Sequence, residues 1–309
     1  MKKLLLLSCM MLGLTASAQI PLIEHVGGSV GVGTTGITVD VAARITDLFG
    51  VRAGVDIMTQ IKMNKDLNLG VDDHSMSIQQ MSTYIDQLNQ YLPADEQIDK
   101  SILPSGELPR KLDIQGKLSN TTGHVLIDVY PFGAKNSFHA TVGAYFGGKK
   151  VVKVYNREEG ALTVVNQWNN AMIEAQNNPS GSLNQNVVQP YGLKMIGAEL
   201  GDYFVTPNPV DNGNVEASIQ VSGFRPYVGI GFGSCVPKKR IGCQVDLGVQ
   251  FWNTPKIYAP TYDKSTKTFV GESKLDESKV GGDGSDVIKT ITKISVYPSL
   301  TVRLTGKIF

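Results

Sequence analysis

Runs of strict period two recur along this chain, with apolar side chains on one phase and glycine, polar and charged residues on the other. In 51–57, Val51, Ala53, Val55 and Ile57 alternate with Arg52, Gly54 and Asp56. Val125, Ile127 and Val129 alternate with His124, Leu126 and Asp128, and Phe138, Ala140, Val142, Ala144 and Phe146 with His139, Thr141, Gly143, Tyr145 and Gly147. Val245, Leu247, Val249 and Phe251 alternate with Gln244, Asp246, Gly248 and Gln250. Near the C-terminus Ile294, Val296, Leu300, Val302 and Leu304 face away from Ser295, Tyr297, Ser299, Thr301, Arg303 and Thr305. Each run predicts a strand of about the 9–11 residues that a tilted membrane strand needs. A soluble sandwich gives the same alternation. Arg52, Asp128 and Asp246 in mid-strand favour a barrel, whose polar lumen can house them as ion pairs.

Connections between the strands alternate short and long. Residues 46–49, 131–137 and 236–240 make short turns, whereas 60–109, 150–215 and 254–290 are long. Short periplasmic turns against long outer loops is the organisation of outer-membrane barrels. Seven strands are plain at 36–46, 50–59, 121–131, 137–148, 218–234, 241–253 and 293–308. Both ends of such a barrel lie in the periplasm, so the number is even and an eighth strand is expected at about 25–33. The phase change at Thr34-Thr35-Gly36, from Val30 and Val32 to Ile37, Val39 and Val41, marks a turn or bulge. The fold expected is therefore all-β, a closed antiparallel transmembrane up-and-down barrel of about eight strands. Ten is the alternative if 199–222, with its Asp211-Asn212-Gly213 turn, adds a hairpin.

The long loops carry helical patterns. In 75–92, Ile78, Met81, Ile85, Leu88 and Leu92 share one face, with Asp73 or Ser75 as a cap and Pro93 as a stop. In 158–177, Leu162, Val165, Trp168, Met172 and Ala175 do the same before Pro179. These helices are expected to cover the outer rim by packing on loop residues.

The N-terminus reads as an export signal over residues 1–18: Lys2 and Lys3, an apolar stretch from Leu4 to Leu14, and Ala16-Ser17-Ala18 before Gln19. Cys9 as a lipid-attachment site would leave too short an apolar core. Removing the leader takes two lysines and no acids, leaving 27 basic against 28 acidic residues. That near-neutrality argues against nucleic acid as a partner. Beyond the leader no stretch of about 20 apolar residues occurs, so helical spans are excluded. Cys235 and Cys243 remain, on opposite phases, and opposite faces cannot be bridged. Two free, buried thiols are expected.

Gly33-Thr34-Thr35-Gly36-Ile37-Thr38-Val39-Asp40 with Phe49-Gly50-Val51-Arg52-Ala53-Gly54 resembles the start of a family of small bacterial outer-membrane β-barrel proteins. Val125 to Gly133 with Phe138 to Tyr145 resembles its central hairpin, and Arg225 to Gly233 with Val245 to Val249 its next one. The likeness touches every expected strand from residue 27 onward and none of the long loops, whose composition is similar to that of Bacteroides-type anaerobes. It implies an outer-membrane barrel and no particular chemistry. One departure stands out. Such barrels place apolar residues at the last position and every second one before it, whereas here that phase holds Phe309, Lys307, Thr305 and Arg303.

Candidate chemistry is sparse. Gly31-Val32-Gly33-Thr34-Thr35-Gly36 fits the dinucleotide fingerprint, but a strand follows it instead of the helix that would meet a pyrophosphate. Gly281-Gly282-Asp283-Gly284-Ser285-Asp286 matches a single unit of a calcium repeat that needs stacked copies; a flexible outer loop is the better reading. The histidines His25, His74, His124 and His139 offer no pair with metal-ligand spacing. Asp128 and His139 sit on adjacent strands near the periplasmic end and could orient a nucleophile, although an ion pair bracing the lumen is the simpler reading. The inward set Arg52, Asp56, Asp128, His139, Tyr145, Arg225, Asp246 and Arg303 mixes both signs. Eight strands leave room only for side chains, so a plugged lumen is expected, with no catalytic residue, cofactor or metal. The partners expected are outer-membrane lipid, the barrel-assembly machinery and an extracellular ligand met through the loops. The function expected is a non-enzymatic envelope-structural or surface-binding role. A narrow solute channel, a membrane-embedded hydrolase or acyltransferase, and a soluble periplasmic protein are the alternatives.

Overall fold

The computed structural model describes residues 25–68, 77–133, 136–207, 213–263, 265–266, 268–281 and 285–308. The expected leader, the caps Asp73 and Ser75, residues 211–212, Asp283 and Phe309 lie outside them. The chain opens with β1 (His25–Gly33), β2 (Gly36–Arg44), β3 (Phe49–Ile57) and β4 (Ile61–Asn68), then α1 (Ile78–Asn89), β5 (Lys111–Leu118) and β6 (Thr121–Val129). Next come β7 (Phe138–Gly147), β8 (Lys150–Asn156), α2 (Thr163–Asn177), β9 (Ala198–Leu200), β10 (Tyr203–Val205) and β11 (Glu216–Gln220). It finishes with β12 (Phe224–Phe232), β13 (Ile241–Phe251), β14 (Lys256–Asp263), β15 (Thr268–Lys274), α3 (Ser285–Thr292) and β16 (Val296–Lys307).

Eight strands close an antiparallel barrel in the order β1-β16-β13-β12-β7-β6-β3-β2. The seam pairs the first strand with the last, Gly27 opposite Lys307 through Gly33 opposite Thr301. The eighth strand expected at about 25–33 is β1, which makes the count even. Gly36, at φ +104°, completes the tight β1–β2 turn, a backbone state that glycine adopts without strain. Gly31 and Gly33 lie so close to the β16 backbone that a Cβ on either would overlap it. The glycines of the apparent fingerprint thus serve a turn and close strand packing.

The alternation is inverted relative to a soluble protein. Val30, Val32, Ile37, Val39, Val125, Ile127, Val142, Val228, Ile230, Leu247, Leu300, Val302 and Leu304 are exposed around the outside. The charged residues on the other phase are shut within. A large aliphatic side chain gains roughly 1.5–3 kcal/mol when fully taken out of water. The half-exposed belt therefore favours a hydrocarbon surrounding by something on the order of 10 kcal/mol. Among the described residues no helix is long and apolar enough to cross a membrane, so crossing falls to the strands.

The long excursions carry strands as well as helices, which corrects the sequence reading of them as loops. They build a second sheet in the order β4-β5-β8-β11-β14-β10-β9, with β15 paired to β14. Five of its strands continue neighbouring barrel strands after breaks of two to four residues: β3 into β4, β5 into β6, β7 into β8, β11 into β12, and β13 into β14. The breaks stay stitched, Met58 N donating to Asn120 O at 2.9 Å, Ser119 N to Val151 O at 3.1 Å and Val221 N to Lys149 O at 2.9 Å. The wall thus rises beyond the barrel over five strands. It stops above β1 and β2, because the β1–β2 turn is tight, while β15 stands beside β14 on the β16 side. These breaks also explain why the expected strand 218–234 is two strands. The hairpin found in this region, β9–β10, turns at 201–202 and not at the expected Asp211-Asn212-Gly213; it belongs to the outer sheet and leaves the barrel at eight.

Both expected helices form. Ser77 caps α1: its Oγ accepts from Gln80 N at 3.2 Å, and Gln80 Oε1 accepts from Ser77 N at 2.9 Å, the reciprocal pattern of a capping box. Ile78, Met81 and Ile85 of α1 pack with Leu162 and with Val165, Trp168, Met172 and Ala175 of α2, joined by Ile98, Leu112, Val187, Val188 and Ile196. This is a hydrophobic core of its own, outside the barrel. Trp168 Nε1 also donates to Lys194 O at 2.8 Å. Trp168→Ala is expected to cost the cap about 3–5 kcal/mol while sparing the barrel. Limited proteolysis should then cut within 77–200 while the barrel strands remain protected; simultaneous loss of both would show that they fold as one unit.

Candidate functional site

The inward phase of the barrel assembles one connected network. Arg52, in mid-β3, donates from Nη2 to Asp128 Oδ1 on β6 at 2.8 Å and from Nη1 to Asp246 Oδ2 on β13 at 3.1 Å. Arg303 on β16 donates from Nε to Asp40 Oδ2 at 2.7 Å and from Nη1 to Asp246 Oδ2. His139 on β7 meets Asp246 Oδ1 through Nε2 at 2.8 Å. His124 on β6 lies between two carboxylates, Nε2 to Asp40 Oδ1 at 2.7 Å and Nδ1 to Asp56 Oδ2 at 2.6 Å. Hydroxyls fill in: Thr141 donates to Asp128 at 2.7 Å, Thr35 to Asp56 at 2.9 Å and Ser29 to Asp40 at 2.8 Å. None of these four carboxylates, two guanidiniums and two imidazoles is more than 3 % exposed.

Neighbouring glycines make the room. A Cβ at Gly54 would strike the Asp40 carboxylate, and one at Gly231 would strike the His139 ring. Aromatic residues separate the layers. Tyr145 lies against His124 at 5.0 Å and Tyr227 at 5.4 Å between ring centres, and Tyr130 lies 5.3 Å from His139.

The short-turn end is plugged by the chain itself. Cys235 and Val236 turn inward and pack on Ala42 and Tyr130, with Tyr130 Oη accepting from Cys235 N at 3.0 Å. Arg44 lies 4.3 Å over the Tyr130 ring and donates to Ser234 Oγ at 2.8 Å and Asp47 O at 2.7 Å. At the other end Arg225 lies beneath the stacked pair Trp252 and Tyr297, whose rings are 4.5 Å apart and parallel within 2°.

Of the residues expected inside, Arg52, Asp128, His139, Asp246 and Arg303 are brought together, and Asp56 joins through His124. Tyr145 contributes packing and Arg225 stands apart. Sequence reasoning missed Asp40, His124 and Gln244, whose Nε2 lies 3.3 Å from Asp246 Oδ1, as members, and Arg44 as a buried charge at the plugged end. Asp40 lies on the same phase as Gly36 and Thr38, and His124 on that of Asp128, so alternation alone could have found them. Asp128 and His139 are engaged by different partners, Arg52 and Thr141 against Asp246, which leaves no pair free to activate a nucleophile. Ligand-capable atoms of Asp128, His139 and Asp246 lie within 4.8 Å of one another. The Arg52 guanidinium, bridging both carboxylates, already supplies the charge that a cation would bring. Cys235 and Cys243 are both free; Cys235 is buried and Cys243 is exposed on the outer surface, which corrects the expectation that both are buried.

An eight-stranded up-and-down barrel with an apolar exterior and an ion-paired interior is the architecture of small outer-membrane barrels. Solved structures similar to this chain include one whose name is that of an outer membrane protein. Acinetobacter baumannii CarO2 shares 14% identity over 92% of this chain and 99% of that one, with a TM-score of 0.42. Acinetobacter baumannii CarO shares 12% over 91% and 97%, at 0.38. A major outer membrane protein from Thermus thermophilus shares 11% over 92% and 97%, at 0.35. At such scores the inference rests on this chain's own geometry. No family model and no curated protein matches the sequence, so the resemblance to a Bacteroides-type family has no counterpart there.

Two outcomes follow. Arg52→Met strands Asp128 and half of Asp246 and should cost about 3–5 kcal/mol, whereas Arg52→Met with Asp128→Asn should recover part of that loss. Urea midpoints of barrel unfolding measure both, and additive losses would exclude the coupling. Burial pushes the Cys235 thiol up to about 11, so at neutral pH it should resist a water-soluble maleimide until the barrel unfolds. Mass shifts read in a Cys243→Ser background decide this.

Proposed function

We propose that this protein is an integral outer-membrane barrel with a non-enzymatic, envelope-structural and surface-binding role. The barrel is a rigid anchor, and the outer sheet with its helical cap is the part presented outside the cell. The observation carrying this reading is the pairing of an exposed apolar belt with a lumen whose charged residues are mutually bonded and closed to solvent. The belt calls for lipid, and placing the short turns in the periplasm puts the cap outside. A conducting pore needs a water-lined passage, whereas here three layers of side chains fill the axis: the Cys235–Tyr130 plug, the Asp246 network and the Arg225–Trp252 layer. Catalysis at Asp128 and His139 would require substrate to reach groups that are fully buried and already paired. Export through a cleaved leader and insertion by the barrel-assembly machinery complete the proposal.

The expected outcome is recovery in the outer-membrane fraction, with folded and boiled forms migrating differently on a gel. Planar bilayers containing the folded protein should show no single-channel steps. Recovery in the soluble fraction without detergent would defeat the membrane reading, and regular conductance steps would favour the channel.

A further inference from the structure

Both guanidiniums of the central network meet carboxylates, but two further buried guanidiniums lie outside it. Arg44, at the plugged end, uses all three of its nitrogens, donating to Thr46 O, Ser234 Oγ and Asp47 O. Arg225, at the other end, does not. It is fully buried. Its Nε donates to Ser222 O at 2.8 Å and its Nη2 to Gly148 O at 2.6 Å. Both carbonyls belong to breaks where barrel strands pass into the outer sheet, so the side chain clamps two chain segments at the barrel mouth. Its third group, Nη1, has no hydrogen-bond partner, and among the described residues no carboxylate forms an ion pair with it. The Trp252 ring centre lies 5.6 Å away, stacked on Tyr297.

Burying a cation without a counter-ion is costly, and two carbonyl dipoles and one ring face offset only part of that cost. The four carboxylates deeper in the lumen are all bonded to other groups, and none of them pairs with Arg225. A guanidinium is also a planar fork that suits the two oxygens of a carboxylate or phosphate. The outer wall stops above β1 and β2, which leaves a way to the position on that side. Tyr297 of β16 reaches that side, its hydroxyl donating to Thr34 O in the β1–β2 turn at 2.7 Å.

We propose that Arg225 anchors an oxyanion-binding site at the outer mouth of the barrel. It takes the carboxylate or phosphate group of a small ligand through Nη1, with the Trp252–Tyr297 pair as the apolar wall beside it. The site rests on reading the outer end as the ligand-facing one and gives that role a chemical class. Acidic small molecules are expected ligands, and neutral or cationic ones are not.

The test uses the full mature chain, folded in detergent, with its heat-induced unfolding midpoint followed at constant ionic strength. Sodium acetate and inorganic phosphate are titrated separately against chloride. Acetate or phosphate should raise the midpoint saturably and chloride should not, and whichever acts names the headgroup. Arg225→Gln should weaken half-saturation at least about tenfold, the loss of one charge-assisted contact. Arg225→Lys, which keeps the charge without the fork, should fall between. Should neither variant fold, Trp252 emission in a Trp168→Phe background gives the location, since only an anion beside Arg225 changes it. No saturable rise, an equal rise in the variants, or a rise with unchanged Trp252 emission overturns the site. A chain with no heat-modifiable form at all would defeat the membrane-barrel reading instead.

Discussion

A carboxylate inside a barrel only eight strands around has no bulk water to solvate it, and Asp246 meets that constraint by accepting from Arg52, Arg303 and His139 at once. Its three partners come from three strands, β3, β16 and β7, none of which is adjacent to both of the others. The network therefore ties walls across the lumen, where backbone ladders tie only neighbours. Removing one partner leaves charge unpaired in a low-dielectric space, which costs several kcal/mol. Closure of the barrel and neutralisation of its interior thus depend on each other. The glycines at 54 and 231 take their place for the same reason, since larger residues would fill the space of the Asp40 carboxylate and the His139 ring.

That constraint also arranges the rest of the molecule. With the axis filled, the barrel offers little interior surface for binding, and recognition passes to its ends. The short-turn end is closed by a turn folded in on Tyr130. The other end opens into a one-sided wall that continues five of the eight strands and carries two helices with their own apolar core. Exposed ion pairs dress that wall, Lys153 with Glu216 and Arg157 with Asp113, and contribute little stability at the surface. Arg225 marks the boundary between the filled lumen and the open wall, holding together strands that break there.

The cap and the barrel follow different rules of burial. Trp168, Met172 and Met81 are apolar and inside; Leu247, Val302 and Ile230 are apolar and outside. The same side-chain chemistry is used in opposite senses because the two regions meet different solvents. A scale of hydrophobicity cannot separate them, whereas the period can. Helical spacing collected the cap core onto one face of each helix, and period two laid the belt on one face of each strand.

Alternation, connection length and parity determined the barrel from the sequence: eight strands at nearly the observed places, with Arg52, Asp128, His139, Asp246 and Arg303 inward. These are local regularities, because a strand turns its side chains over every residue whatever surrounds it. The helix faces of α1 and α2 were legible for the same reason. The tertiary structure alone decided that the long connections give strands to an outer sheet, since β8, β11 and β14 are short and become strands by pairing in that order. It alone decided that His139 pairs with Asp246, 107 residues away, and not with Asp128 across the turn. Phase fixes which way a side chain points, but which partner it meets depends on how the barrel closes.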